Sequence, residues 1–128
     1  MPGRGRRASD PAEMKMVLVV RGELRLTAGK AAVQVAHAAV LLVDRAAARS
    51  AAALAAWRAQ GQRKIAVLAP TLADLEAVER AARARGIPTV WVEDAGFTEV
   101  APGTRTCLGL GPARSSELDP VTGGLPLL

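Results

Sequence analysis

The chain has little with which to build redox, metal or base-stacking chemistry. Its 128 residues include one cysteine, one histidine, no tyrosine and only 2% aromatic side chains. A lone Cys107 excludes an internal disulfide and fits a reducing, cytoplasmic setting. One Cys and one His at no recognisable spacing give no metal site. Trp57, Trp91 and Phe97 are too few for a stacking platform of the kind single-strand binders use. Long hydrophobic runs are also missing. Gln34, His37 and charges interrupt the apolar stretches before they reach the roughly 20 residues that span a bilayer, so no membrane partner is expected. The stretch Met1 to Arg7 carries charge with no apolar segment behind it and does not read as a signal peptide. No Walker lysine pattern, GxSxG elbow or GxGxxG fingerprint occurs, which leaves nucleotide hydrolysis, esterase triads and dinucleotide binding without support.

What is present is a hydrophobic, basic chain. Half of the residues are hydrophobic and the net charge is +5, enough apolar material for one domain with a single sizeable core. Residues 1–13, rich in Pro, Gly, Arg and Ser, read as a disordered lead, and 14–128 as the domain. Three arginines against Asp10 and Glu13 in the lead leave about +4 on the domain, which favours polyanionic partners through charge rather than base reading. Lys15–Arg21 and Lys64–Leu68 have the continuous apolar character of strands covered on both faces. Thr27 is placed to cap a helix running to about Arg49, Ser50 a second to about Gln60, and Thr71, with Asp74 in the first turn, a third that closes at Gly86. Pro88–Glu93 and Thr104–Leu110 read as two further strands that pair antiparallel, and a short helical turn follows around 116–121. The expected fold is α/β: a three-layer α/β/α sandwich on a mixed four-stranded β-sheet.

One helix carries most of the chemistry. Between Gly29 and Val40 its only functional side chains are Lys30, Gln34 and His37. At about 100° per residue they share an arc of roughly 60° at the helix start, where unpaired N–H groups also face an anion. The plainer alternative is a solvated lysine, a backbone-bound glutamine and a half-buried histidine. Ligand sites in such sheets gather beyond the carboxyl ends of strands. If the first and third strands are neighbours, Asp94 and Thr98 of the Asp94–Thr98 turn face the stripe, and these groups could activate water and steady an oxyanion. The glycines of Gly109-Leu110-Gly111-Pro112 could let N–H groups approach a phosphate, although a plain strand exit is the commoner use.

Six segments in order resemble the archaeal and eukaryotic type of peptidyl-tRNA hydrolase, across residues 15–128. They are Lys15–Arg21, Gly29–Ala39, Asp94–Thr98, Ala101–Thr104, Leu108–Pro112 and Val121–Leu125. The resemblance implies a cytoplasmic enzyme that cleaves the ester between a peptide and tRNA, needs no cofactor and forms a homodimer. It implies catalytic roles for Lys30, Gln34, His37, Asp94 and Thr98, and its segments supply Arg21, Gly29, Gly96, Gly109 and Gly111 as candidate substrate-binding positions. The expected chemistry has Asp94, or His37 through it, activating water that Thr98 positions. Lys30 stabilises the oxyanion or a terminal phosphate, and Gln34 orients the ester. The pattern departs at Ala28, where the family commonly has a second lysine, at Glu23 in place of Asp, and at Phe97 and Glu99 in place of Arg and Gln. Two missing cations and one added carboxylate are expected to weaken phosphate binding there. The largely apolar helix face beyond His37, with Val40, Leu41 and Val43, is a candidate dimer face. The alternative reading is a non-catalytic relative that binds tRNA or a protein partner.

Overall fold

The structure is a computed structural model that describes residues 10–96 and 99–128. In chain order it has β1 (Met14–Arg21), α1 (Ala28–Arg49), α2 (Ala51–Ala59), β2 (Lys64–Ala69), α3 (Leu72–Ala84), β3 (Thr89–Glu93), β4 (Arg105–Arg114) and α4 (Ser115–Thr122). A 3-10 turn at Gly22–Leu24 leads from β1 toward α1. The sheet order is β2-β1-β4-β3, with β1 parallel to β2 and β4 antiparallel to both β1 and β3. β1 and β3 are therefore not neighbours, which corrects the adjacency considered from sequence. They nonetheless run in the same direction, because each is antiparallel to the strand between them. Their carboxyl ends share one edge of the sheet.

β1 is buried along almost its whole length because both of its faces are covered. Met16, Leu18 and Val20 join Ala38, Leu42, Ala46, Leu54 and Trp57 under α1 and α2. Val17 and Val19 join Val67, Leu75, Val78, Leu108, Leu110 and Leu118 under α3 and α4. These two cores on opposite faces form the expected three layers. Lys15, read from sequence as part of the apolar run, is only 1% exposed, and its Nζ lies 2.6 Å from Asp119 Oδ1 on α4. By length and composition α1 is apolar enough to cross a membrane, contrary to the expectation from its interrupted runs. Here it lays Ala31, Gln34, Ala38, Ala39, Leu42 and Ala46 on the sheet instead.

The helix starts follow their capping chemistry. Thr27 accepts from the Lys30 N–H, and Thr71 with Asp74 forms a full capping box. Ser50 makes no side-chain cap for α2. Residues 10–13, expected in the lead, turn into β1: Glu13 pairs with Arg63 at 2.8 Å, and its carbonyl accepts from the Ser115 N–H.

β4 runs four residues beyond its expected end. A register shift between Lys15 and Val17 absorbs the turn at Gly111 and lets Ala113 and Arg114 pair again with β1. Gly111 has φ +105°, a Cβ there would meet the Lys15 carbonyl oxygen at 2.8 Å, and its N–H donates to the Pro88 carbonyl. Gly109 lies beneath α1, where a Cβ would stand 2.9 Å from Leu42 Cδ1. Both glycines thus serve packing, and Gly111 sits at the sheet edge where β3 begins, opposite the carboxyl ends. Gly111→Ala should cost about 1–3 kcal/mol through strain at positive φ, seen as a lower thermal midpoint with KM for substrate unchanged.

Candidate active site

Topology and caps set the site's position. Thr27 fixes where α1 begins, at the edge where β1 and β3 end, and α1 then crosses the sheet over β4. Lys30, three residues into α1, meets Asp94, the first residue after β3, in a direct ion pair between Nζ and Oδ2. Both side chains are largely withdrawn from solvent, at 12% and 2% exposure. The other oxygen, Asp94 Oδ1, accepts the Gly96 N–H at 2.5 Å, which folds the Asp94-Ala95-Gly96 turn back onto the carboxylate. A cation and a carboxylate so shielded interact more strongly than a surface pair.

The three-residue stripe divides at this point. The buried positions of α1 centre about 110° round from Lys30 at about 100° per residue, on the Gln34 side. Gln34 is about 70° from that centre and is 2% exposed. His37 is about 130° away and exposed. Gln34 Oε1 lies 2.5 Å from the Thr106 hydroxyl, which also stands 3.4 Å from the Val92 carbonyl. Its oxygen therefore faces β4 rather than open solvent. His37 lines a shallow groove of about 310 Å³ with Val40, Leu41, Val92 and Glu93. Phe97 and Thr98 lie outside the described residues.

Sequence reasoning missed Thr106. Cys107 packs on the α1 side, so strict alternation would send Thr106 to the opposite face. The register steps from Val92↔Cys107 to Glu93↔Arg105, which leaves Thr106 as the extra residue and turns it toward Gln34. Burial pushes the neighbouring Cys107 thiol up to about 12, in keeping with a packed rather than reactive cysteine.

The rim of the site is tied down by carboxylates. Glu99 accepts the Thr27 hydroxyl at 2.6 Å and the Thr27 N–H at 3.1 Å. These bonds hold its carboxyl below the ordinary range. A side-chain carboxylate thus occupies the start of α1, where a bound anion would find N–H groups. Arg21 is engaged as well: Nε donates to Glu23 at 2.7 Å and Nη1 to the Arg105 carbonyl at 3.2 Å. Glu23 also receives the Leu72 N–H at the start of α3, and the Arg21 bond leads in holding its carboxyl below the usual range. Gly29 is exposed with open space around it. Lys30, Asp94, Gln34 and Gly96 converge, with His37 one turn further along α1. Gly109 and Gly111 do not belong to this edge: Gly109 pairs with Leu18 and Val90 within the sheet, and Gly111 follows it toward the start of β3. Among the described residues no three His, Cys, Asp or Glu side chains cluster to hold a metal.

A family model for Peptidyl-tRNA hydrolase PTH2 matches residues 14–128. The chain belongs to this family. It is 47% identical over 114 residues to a peptidyl-tRNA hydrolase of Methanopyrus kandleri, covering 89% of this chain and 97% of that one. It is 45% identical over 117 residues to that of Metallosphaera sedula, covering 90% and 100%. A peptidyl-tRNA hydrolase of Saccharolobus islandicus is 44% identical over 119 residues, with 90% and 99% covered. A solved protein of unknown function from Agrobacterium tumefaciens shares the fold at TM-score 0.57 and 12% identity, covering 91% of this chain and 98% of that one. Membership gives the Lys30–Asp94 pair a chemical setting, that of an ester hydrolase.

Thr106→Val keeps the volume but leaves Gln34 Oε1 without its donor. It should lower stability by about 1–3 kcal/mol, read from denaturant unfolding, and the same substitution should reduce turnover if Gln34 orients the ester.

Proposed function

We propose that this chain hydrolyses the ester between a peptide and the terminal ribose of tRNA, with Lys30 and Asp94 as its chemical centre. The observation that carries the reading is the shielded ion pair between these two residues, at the edge where β1 and β3 end, in a member of the peptidyl-tRNA hydrolase family.

The reaction asks for three things: a water brought to the carbonyl carbon, an acceptor for its proton, and positive charge where the oxyanion develops. Asp94 is the acceptor. Lys30 and the Gly96 N–H hold its two oxygens in a fixed direction, and a carboxylate accepts through two lone pairs on each oxygen. Lys30 is held in place by Asp94 and presents its remaining ammonium hydrogens to the carbonyl oxygen, which becomes negative as water adds. Collapse of the tetrahedral intermediate breaks the ester C–O bond, and the ribose hydroxyl leaves with a proton returned from the acid form of Asp94. Gln34, fixed by Thr106, has its amide nitrogen to orient the ester. His37 lies further along α1 beside the apolar groove.

The test is release of N-acetyl-aminoacyl groups from tRNA by purified protein. Lys30→Ala should reduce kcat by about 10²–10³-fold, and Asp94→Asn by about 10²–10⁴-fold. Equal release by the variants and the wild type would sink this assignment.

The expected homodimer has support in exposed apolar side chains on one side of α1: Val33 is 49% exposed, Val40 61% and Leu41 41%. Val43 packs inward against the α1-side core and leaves the expected dimer face. Val40→Glu should turn a dimer into a monomer in sedimentation equilibrium. A wild-type chain that sediments as a monomer at micromolar concentration would remove the proposal.

A further inference from the structure

The two edges of the sheet carry opposite charge balances. At the carboxyl ends of β1, β2 and β3, Glu23, Asp74, Glu93, Asp94 and Glu99 stand against Arg21, Arg25, Lys30 and Arg105. The chemical centre therefore sits in a neighbourhood with no surplus of cations. Glu99 takes both the N–H and the hydroxyl of Thr27, the residue that caps α1. At the other edge, Lys15, Arg49, Arg58, Arg63, Lys64, Arg83, Arg85 and Arg114 stand against Asp10, Glu13, Glu117 and Asp119. The basic excess of the described residues lies there, away from the reacting atoms.

That edge also holds the larger groove, about 510 Å³, between the start of α2 and the turn entering β3. Ser50, Arg85, Pro88, Arg114 and Glu117 line it, over an apolar floor that includes Met14 and Ile87. Arg114 is exposed and makes no ion pair among the described residues. Arg85 reaches Glu117 only at 3.5 Å, with both side chains more than 40% exposed. A surface pair of this kind is weak and yields readily to a competing anion. Arg49 ends α1 one residue before Ser50.

We propose that this arginine-rimmed groove binds the phosphate backbone of the tRNA acceptor helix, so that substrate is gripped at one edge of the sheet and cleaved at the other. The proposal rests on the peptidyl-tRNA hydrolase reading and adds where the RNA is held. The spacing fits. From Lys30 to Ser50 along α1 is about 30 Å at about 1.5 Å per residue, longer than the few unpaired nucleotides at the end of a tRNA acceptor arm. With the terminal ribose at Lys30, the groove meets paired nucleotides beyond the single-stranded end. Arginine suits this contact because its planar fork matches phosphate oxygens. The scarcity of aromatic side chains agrees with a grip made through phosphates rather than stacked bases.

The test compares two substrates carrying the same N-acetyl-aminoacyl group, one on full-length tRNA and one on a CCA trinucleotide too short to reach the groove. The Arg85→Glu, Arg114→Glu double variant should raise KM for the tRNA substrate at least tenfold at low salt. It should also flatten the salt dependence of kcat/KM by about two units in the log–log slope. Turnover of the trinucleotide reads the catalytic edge alone, so the loss should be confined to tRNA. Glu117→Gln should lower KM for tRNA, an effect that damage to the fold would not produce. If charge reversal unfolds the protein, Arg85→Ala and Arg114→Ala should each flatten the slope by about one unit. An unchanged KM and salt slope for tRNA would overturn the groove, as would equal losses on both substrates. A wild type inert toward both substrates would overturn the hydrolase reading and the groove with it.

Discussion

The Lys30–Asp94 ion pair is the contact on which the site depends, because it joins two elements that are not adjacent in the sheet. β4 lies between β1 and β3, and α1, crossing above β4, brings Lys30 to the end of β3. The pair is shielded from water, so loss of either charge costs more here than at an exposed pair. Capping of α1 by Thr27, the Gly96 N–H on Asp94 and the Glu99 bonds to Thr27 all act on the same junction. These contacts fix the entry angle of the helix and the direction of the turn. An ammonium and a carboxylate are then set in place before substrate arrives, which is where electrostatic catalysis gains most.

Charge divides between the two edges in a way that suits a large polyanionic substrate. A cation-rich reaction centre would hold many phosphates, including unproductive ones, close to the reacting atoms. Here the carboxylates of Glu23, Glu93 and Glu99 border the edge that holds the Lys30–Asp94 pair, while the basic excess lies a helix length away. Long-range attraction and local chemistry are thereby separated. Steering acts over a Debye length and tolerates distance, whereas proton transfer needs hydrogen-bond geometry.

Much of the architecture was legible because it rests on local rules. Both-face burial of β1 follows from its unbroken apolar run. The boundaries of α1 and α3 follow from Thr27 and from the Thr71–Asp74 capping box. The antiparallel pairing of β3 with β4 follows from a connection that contains no helix. Lys30 and Asp94 were legible as candidates because each stands at an element boundary on the side of an α/β sheet where ligands commonly bind, and the structure joins them in an ion pair. Three features were not legible. Thr106 reaches Gln34 through a bulge that breaks alternation. β4 continues past Pro112 through a register shift against β1. His37 and Gln34 part company because their shared arc straddles the margin of the buried face of α1.

The sequence by itself determined which segments become helices and strands, which residues could do chemistry, and the family to which that order of motifs belongs. Periodicity, capping and turn chemistry act over a few residues, so they can be read from the chain. Tertiary structure decided which candidates meet. It placed β4 between β1 and β3, paired Lys30 with Asp94, buried Gln34 against Thr106, and left His37 on an exposed groove. It assigned Gly109 and Gly111 to packing and gathered Arg85 and Arg114 around one groove at the far edge. These outcomes depend on strand order and register, set by long-range packing of two cores on one sheet, to which no local stretch of sequence has access.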